Sequence, residues 1–173
     1  LPIYKYFKQM LMYVTTGQGA DLCKTIVKGE LRSVQLSYLQ GVVKKAQYLI
    51  LSVGYTAKLG YYVDGFLVGH EMTLKGRSRR KAFYIDVVCA KKGKGRALLL
   101  DAERLAWVVD CPVLALHASF RNLVCYYSKK YEYAEVYDPF VAETTRGQQR
   151  YLAEENKEAK LNGWWMSKRT PMV

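Results

Sequence analysis

The stretch from Phe83 to Val109, FYIDVVCAKKGKGRALLLDAERLAWVV, constrains the fold more than any other. Phe83 to Cys89 is an apolar run rich in β-formers and too short for a buried helix, so it reads as a strand. Lys91-Lys92-Gly93-Lys94-Gly95-Arg96 follows, a glycine loop loaded with cations. Leu98, Ala102, Leu105 and Val109 then recur at i, i+4, i+7 and i+11, one face of a helix. Strand, glycine loop and helix together can hold a phosphate. Glycine lets the backbone approach closely, and the free N–H groups and dipole of the helix start favour negative charge.

Phosphate loops differ in spacing. A Walker loop requires G-x-x-x-x-G-K-[ST], but Gly93 and Gly95 are too close together and no Ser or Thr follows. A Rossmann fingerprint requires a third small residue where this chain has Leu98. An ordinary turn between strand and helix is the plain alternative.

With 173 residues, half of them hydrophobic, the chain reads as one domain with its own core and not as a disordered polymer. No apolar run reaches the roughly 20 residues that span a bilayer, and no signal-peptide pattern is read at the start. The chain begins at Leu1 rather than Met, which reads as a processed or incomplete start. Cys23, Cys89, Cys111 and Cys125 are scattered, so reduced, mostly buried cysteines and a cytoplasmic, reducing compartment are expected. With His70 and His117 the only histidines, a zinc site is not expected.

The net charge of +12 is concentrated in Lys75-Gly76-Arg77-Ser78-Arg79-Arg80-Lys81 and in Lys91 to Arg96. Such a balance favours polyanions: a nucleotide-bearing cofactor, nucleic acid or an acidic protein surface. Fifteen tyrosines could stack on partners or line the core.

Along the chain, residues 1–45 read as helical. Tyr4, Phe7 and Leu11 keep helical spacing, Asp21 caps a second helix carrying Leu22, Ile26 and Val27, and Leu31, Val34, Tyr38 and Val42 suggest a third. The core spans 47–137. Tyr48 to Tyr55 reads as a strand, and Asp64-Gly65 reads as a hairpin turn between Tyr61–Val63 and Phe66–Met72. Val113 to His117 is a further strand, Phe120 to Lys130 a helix, and Tyr133 to Tyr137 a strand. Residues 144–161 form a polar excursion, and 163–168 a final strand. The order implies a mixed α/β fold with a partly antiparallel sheet.

Gly93-Lys94-Gly95, continued by Arg96-Ala97-Leu98-Leu99, resembles the second half of the Q/R-x-x-G-x-G/A loop of the GNAT superfamily of N-acetyltransferases, with Ala90 where that motif has Gln or Arg. The piece Asn122-Leu123-Val124-Cys125-Tyr126-Tyr127-Ser128-Lys129-Lys130-Tyr131-Glu132-Tyr133 is similar to the superfamily's later Asn/Tyr motif, with Glu132 in place of Gly. Ungapped counting from Tyr133 puts Ser128 at the catalytic place, and a one-residue insertion restores Tyr127. Asp64 to Gly69 and Gly163 to Lys168 resemble the superfamily's hairpin and last strand. The whole also resembles GNAT-like domains of large DNA viruses, which implies a place within a viral particle.

The resemblance implies acetyl-CoA as cosubstrate and an amine of a small molecule or protein as acceptor. Backbone N–H groups from Lys92, Gly93, Lys94, Gly95, Arg96 and Ala97 would hold the pyrophosphate, and Lys91, Lys94 and Arg96 would add charge. The pantetheine arm would pair with the backbone of Val87, Val88 and Cys89, and Asn122 would belong to the same site. Tyr127 or its neighbour Tyr126 would protonate the leaving thiolate, and the base lies among Asp86, His70 and Glu71. Asp86, inside an apolar strand, is the desolvated choice. His117 reads as a satisfied residue at a strand end, and Asp101 and Glu103 as the exposed face of the central helix. The other class of function is an inactive protein of this fold that serves as a binding or structural component. Nucleic-acid binding through the basic patches ranks behind both, since no standard motif supports it.

Overall fold

The structure, a computed structural model, describes residues 24–27, 30–33, 41–43, 46–58, 60–76, 80–118, 121–136 and 164–171. The expectations for residues 1–23, for Val34 and Tyr38, and for the 144–161 excursion lie outside them. The described strands are β1 (Lys24–Val27), β2 (Glu30–Ser33), β3 (Tyr48–Thr56), β4 (Gly60–Thr73), β5 (Lys81–Ala90), β6 (Val113–Ala118), β7 (Ala134–Val136) and β8 (Trp164–Arg169). Among the described residues the helices are α1 (Gly95–Val108) and α2 (Arg121–Tyr131), and residues 41–43 are also helical. The chain divides into two compact units, residues 1–70 with 86–102, and residues 71–85 with 103–173. No described helix is long and apolar enough to cross a membrane.

In the first unit, β1 and β2 form an antiparallel pair with Val27 opposite Glu30. This corrects the helical reading of that stretch. Thr25-Ile26-Val27 is a β-branched run that loses side-chain freedom in a helix, and the i, i+4 spacing of Leu22 and Ile26 is too short a pattern to outweigh it. In the same unit β3 lies antiparallel to β4, and β4 lies beside β5. Val43, Ala46, Phe66, Val68 and Cys89 form the buried centre, with Leu49, Leu51, Val63 and Val87 packed around it.

Asp64-Gly65 is not a turn. Gly60–Thr73 is continuous strand, and the connection to β3 is made before Gly60, which has a positive φ of 68°. Ser52 pairs with Gly65 while Val53 pairs with Val63, so Asp64 is the extra residue of a β-bulge. Gly65 is required for close approach and not for turning. A Cβ there would lie 3.0 Å from Ala90 Cβ and 3.0 Å from Leu98 Cδ1.

In the second unit, β5 runs parallel to β6 with Ala82 opposite Val113, β6 pairs antiparallel with β8, and β8 with β7. The predicted last strand is therefore interior. Ala82, Tyr84, Ala115 and Trp165 form a buried cluster with Met72, Leu74 and Val113 against it. Both helices end on a residue in the left-handed region. After α1, Asp110 has φ 58°, its N–H donates to Trp107 O at 3.2 Å, and the N–H of Cys111 donates to Ala106 O at 2.9 Å, the paired bonds of a Schellman cap. After α2, Glu132 has φ 63° at the position where the resembling motif has Gly. The mixed α/β fold expected from the element order is the one observed.

Cys111 and Cys125 are free thiols, as expected. Cys89 is not: it is disulfide-bonded. Scattered spacing in sequence cannot reveal a bridge between distant positions, because pairing depends on folded geometry.

Candidate functional site

β5 delivers the glycine loop at its C-terminal end. The N–H of Lys91 donates to the bulge carbonyl of Asp64 at 2.9 Å, and the N–H of Lys94 donates to Lys91 O at 3.0 Å. Gly93 takes φ 86°, a conformation L side chains rarely adopt, and Gly95 opens α1. A Cβ built on either glycine meets nothing within 4 Å, so the backbone here is open. Lys91, Lys92, Lys94, Arg96 and Ala97 are exposed. The first turn of α1 carries no acidic residue to cancel the positive end of the helix.

Strand β4 braces this loop through two residues that sequence reasoning missed. Lys91 Nζ lies 4.9 Å from the centre of the Tyr62 ring, and Lys94 Nζ lies 3.9 Å from Asp64 Oδ2. Asp64 is 2 % exposed, and its Oδ1 has no hydrogen-bond partner. Its role was hidden because Asp-Gly carries so strong a turn signal.

Asp86 and His70 face one another in the first unit, with His70 Nδ1 2.7 Å from Asp86 Oδ2. Desolvation pushes the Asp86 carboxyl above its ordinary range, and the hydrogen bond and charge of His70 oppose the rise. The desolvated carboxylate expected of Asp86 is present, coupled to one of its two rivals. Val87 and Val88 beside it are half-buried, and Cys89 is buried. Glu71, the third candidate base, is engaged elsewhere in the second unit. Its Oε2 accepts from Lys81 Nζ at 3.3 Å, and its Oε1 is 4.0 Å from Cys111 Sγ. Burial, then the Glu71 charge, pushes the Cys111 thiol up to about 11.

The tyrosines of α2 gather in the second unit. Tyr126 and Tyr131 share a hydrogen bond of 3.1 Å between hydroxyls, and Tyr127 packs edge-on to Tyr126 and Tyr133 at centroid distances of 5.4 and 6.0 Å. Burial, then Tyr126, pushes the Tyr127 phenol up to about 12. Ser128, at the counted catalytic place, is exposed. Asn122 belongs to the first turn of α2.

One further sequence reading changes. Glu103 is not on an exposed face: its carboxylate, 13 % exposed, accepts from Lys168 Nζ at 2.5 Å, and the same ammonium donates to Tyr131 O at 2.9 Å. The amphipathic count missed this because the partner arrives from β8, distant in sequence. His117 packs edge-on to Trp165 at 5.1 Å.

No family model and no curated protein matches the sequence. Solved structures do match. The chain is similar to the NatC complex bound to Gag peptide and CoA, with a TM-score of 0.56 and 10% identity over 95% of this chain and 92% of that one. It is similar to Arabidopsis thaliana NAA60 in complex with acetyl-CoA (TM-score 0.53, 10% identity, 96% and 92% covered). The NatB acetyltransferase complex bound to CoA and MES gives a TM-score of 0.51 and 16% identity over 81% and 85%. At such identities the likeness concerns the fold alone. The chain has the GNAT acyl-CoA N-acyltransferase fold.

Proposed function

We propose that the protein is an acetyl-CoA-dependent N-acetyltransferase that acts on an amine of a small molecule or protein. One observation carries this reading: β5 bears both Asp86, hydrogen-bonded to His70, and the open glycine loop into α1. Asp86 and Lys91 are separated by about 16 Å of strand, a span that an extended pantetheine arm can cover. The loop fits a pyrophosphate, since its two glycines leave the backbone unobstructed and its cations are exposed. Several solved structures of this fold hold CoA or acetyl-CoA.

Bound acetyl-CoA supplies an activated acetyl thioester. The protein must then provide a neutral amine and a proton for the departing thiolate. A histidine held through Nδ1 by a carboxylate carries its lone pair on Nε2, so His70 is the proton acceptor in this proposal. Asp86 fixes its tautomer and steadies the imidazolium that results. Buried carboxylates also give a protein of charge +12 a local place for a cationic amine. Tyr127 is the proposed acid: its phenol is protonated at neutral pH, while the hydroxyl of Tyr126 is engaged by Tyr131.

The test is release of CoA from acetyl-CoA in the presence of a polyamine, a lysine peptide or a peptide with a free N-terminus, with the acetylated amine identified by mass. Tyr127→Phe and His70→Ala should each slow release by roughly 10²–10⁴-fold. Failure of the folded protein to acetylate any of these while binding acetyl-CoA would favour the second reading, an inactive component of an assembly such as a viral particle. The replacements Ala90 and Glu132 are the features that favour it.

A further inference from the structure

The second unit holds a cleft of about 660 Å³ that the chemistry above does not use. One side is the start of β5, Arg80 and Lys81. The other is the last turn of α1 and the residues just beyond it, Trp107, Val108, Asp110 and Pro112. These are the ends of β5 and α1 opposite to those that meet the glycine loop. Helix α1 buries Leu98, Leu99, Ala102 and Ala106, yet leaves Trp107 45% and Val108 73% exposed. A large aromatic and an aliphatic side by side on an outer helix face, next to an arginine, have the composition of an interaction hot spot.

The charges of the cleft select among partners. Arg80 and Lys81 end the basic run from Lys75, and Lys81 keeps 58% of its side chain exposed although it pairs with Glu71. On the opposite side stand Asp110 and the carbonyl end of α1, whose last turn carries no basic residue. A nucleic-acid strand, with a charge at every phosphate, would meet both signs. A peptide can set carboxylates against Arg80 and Lys81 while an uncharged, bulky side chain covers Trp107, Val108 and Pro112. We propose that this cleft docks a segment of a partner protein in which acidic residues flank a large apolar one. Charge governs the rate and selectivity of encounter, and Trp107 holds the complex. Docking here does not depend on acetyl transfer.

Selection from a random dodecapeptide phage library on the whole chain, with counter-selection on the Trp107→Ala chain, tests it. Enriched peptides should combine carboxylates with Leu, Phe or Trp. A synthetic peptide of the leading sequence should lose at least roughly tenfold in affinity to Trp107→Ala and to Arg80→Glu, and bind more weakly as salt rises. Both substituted residues line the rim, and far-ultraviolet circular dichroism verifies that the variants fold. Absence of enrichment, enrichment of peptides without carboxylates, or affinity unchanged by Trp107→Ala would each overturn the proposal. So would an oligothymidylate that binds more tightly than the peptide with the same dependence on Trp107.

Discussion

The imidazole of His70 and the carboxylate of Asp86, on neighbouring strands β4 and β5, are joined at 2.7 Å, so a largely buried acid is answered by a half-buried ring. Burial raises the pKa of Asp86 and His70 restrains the rise. Removing the ring by His70→Ala therefore leaves an ionised carboxylate without that partner, at a cost of about 1–3 kcal/mol at neutral pH. The sign with pH follows from the raised pKa. The penalty attaches to the charged form, is present above the titration range of Asp86, and disappears as the pH falls through it. Urea unfolding of both proteins at neutral and acid pH should show the gap narrow in acid. An equal gap at both would mean that the pairing is not its source.

Much of this arrangement was legible in sequence. The apolar run at Phe83–Cys89, the glycine loop and the 3.6-residue period of α1 each signalled their structure, because those signals are local. Asp86 was legible as a desolvated acid because it interrupts an apolar run, but its union with His70 was not, since the register of β4 against β5 joins residues sixteen apart. Asp64-Gly65 misled for a different reason. The same dipeptide that makes a tight turn also suits a bulge where two backbones approach closely. Glu103 and Lys168 are separated by 65 residues, and no periodicity on α1 could announce a partner from β8.

Glu132 occupies a left-handed conformation after α2 with φ 63°, where a Cβ crowds the backbone and brings strain. Glu132→Gly should raise stability by about 1 kcal/mol, visible as an upward shift of the thermal midpoint with the helical circular dichroism unchanged. A lowered midpoint would mean that the Glu132 side chain makes contacts that outweigh the backbone strain.

The Tyr133 hydroxyl is buried with no hydrogen-bond partner, and desolvation, then Glu103 and Tyr127, raises its pKa. Tyr133→Phe removes the stranded oxygen and keeps the ring over which Lys168 Nζ sits at 5.5 Å. The variant should be more stable by about 1 kcal/mol, measured by chemical denaturation. A loss of that size would show that the hydroxyl is satisfied in solution.

Lys168 and Glu103 form an ion pair with side chains only 11% and 13% exposed. Removing one charge strands the other, so Glu103→Gln or Lys168→Met should each cost about 3–5 kcal/mol. The double variant Glu103→Leu with Lys168→Met should recover much of that loss. Strict additivity of the two single losses would contradict the coupling.

Acetyl-CoA binding by titration calorimetry at moderate salt, with Gly95→Glu and Gly95→Ala beside the parent chain, tests the account most directly. Gly95 has open space around an added Cβ, so both variants should fold as the parent does. Saturable binding by the parent, weakened by Gly95→Ala and abolished by Gly95→Glu, is the predicted result. A well-folded parent that binds no acetyl-CoA, or binding indifferent to Gly95→Glu, would contradict a cofactor site at the glycine loop.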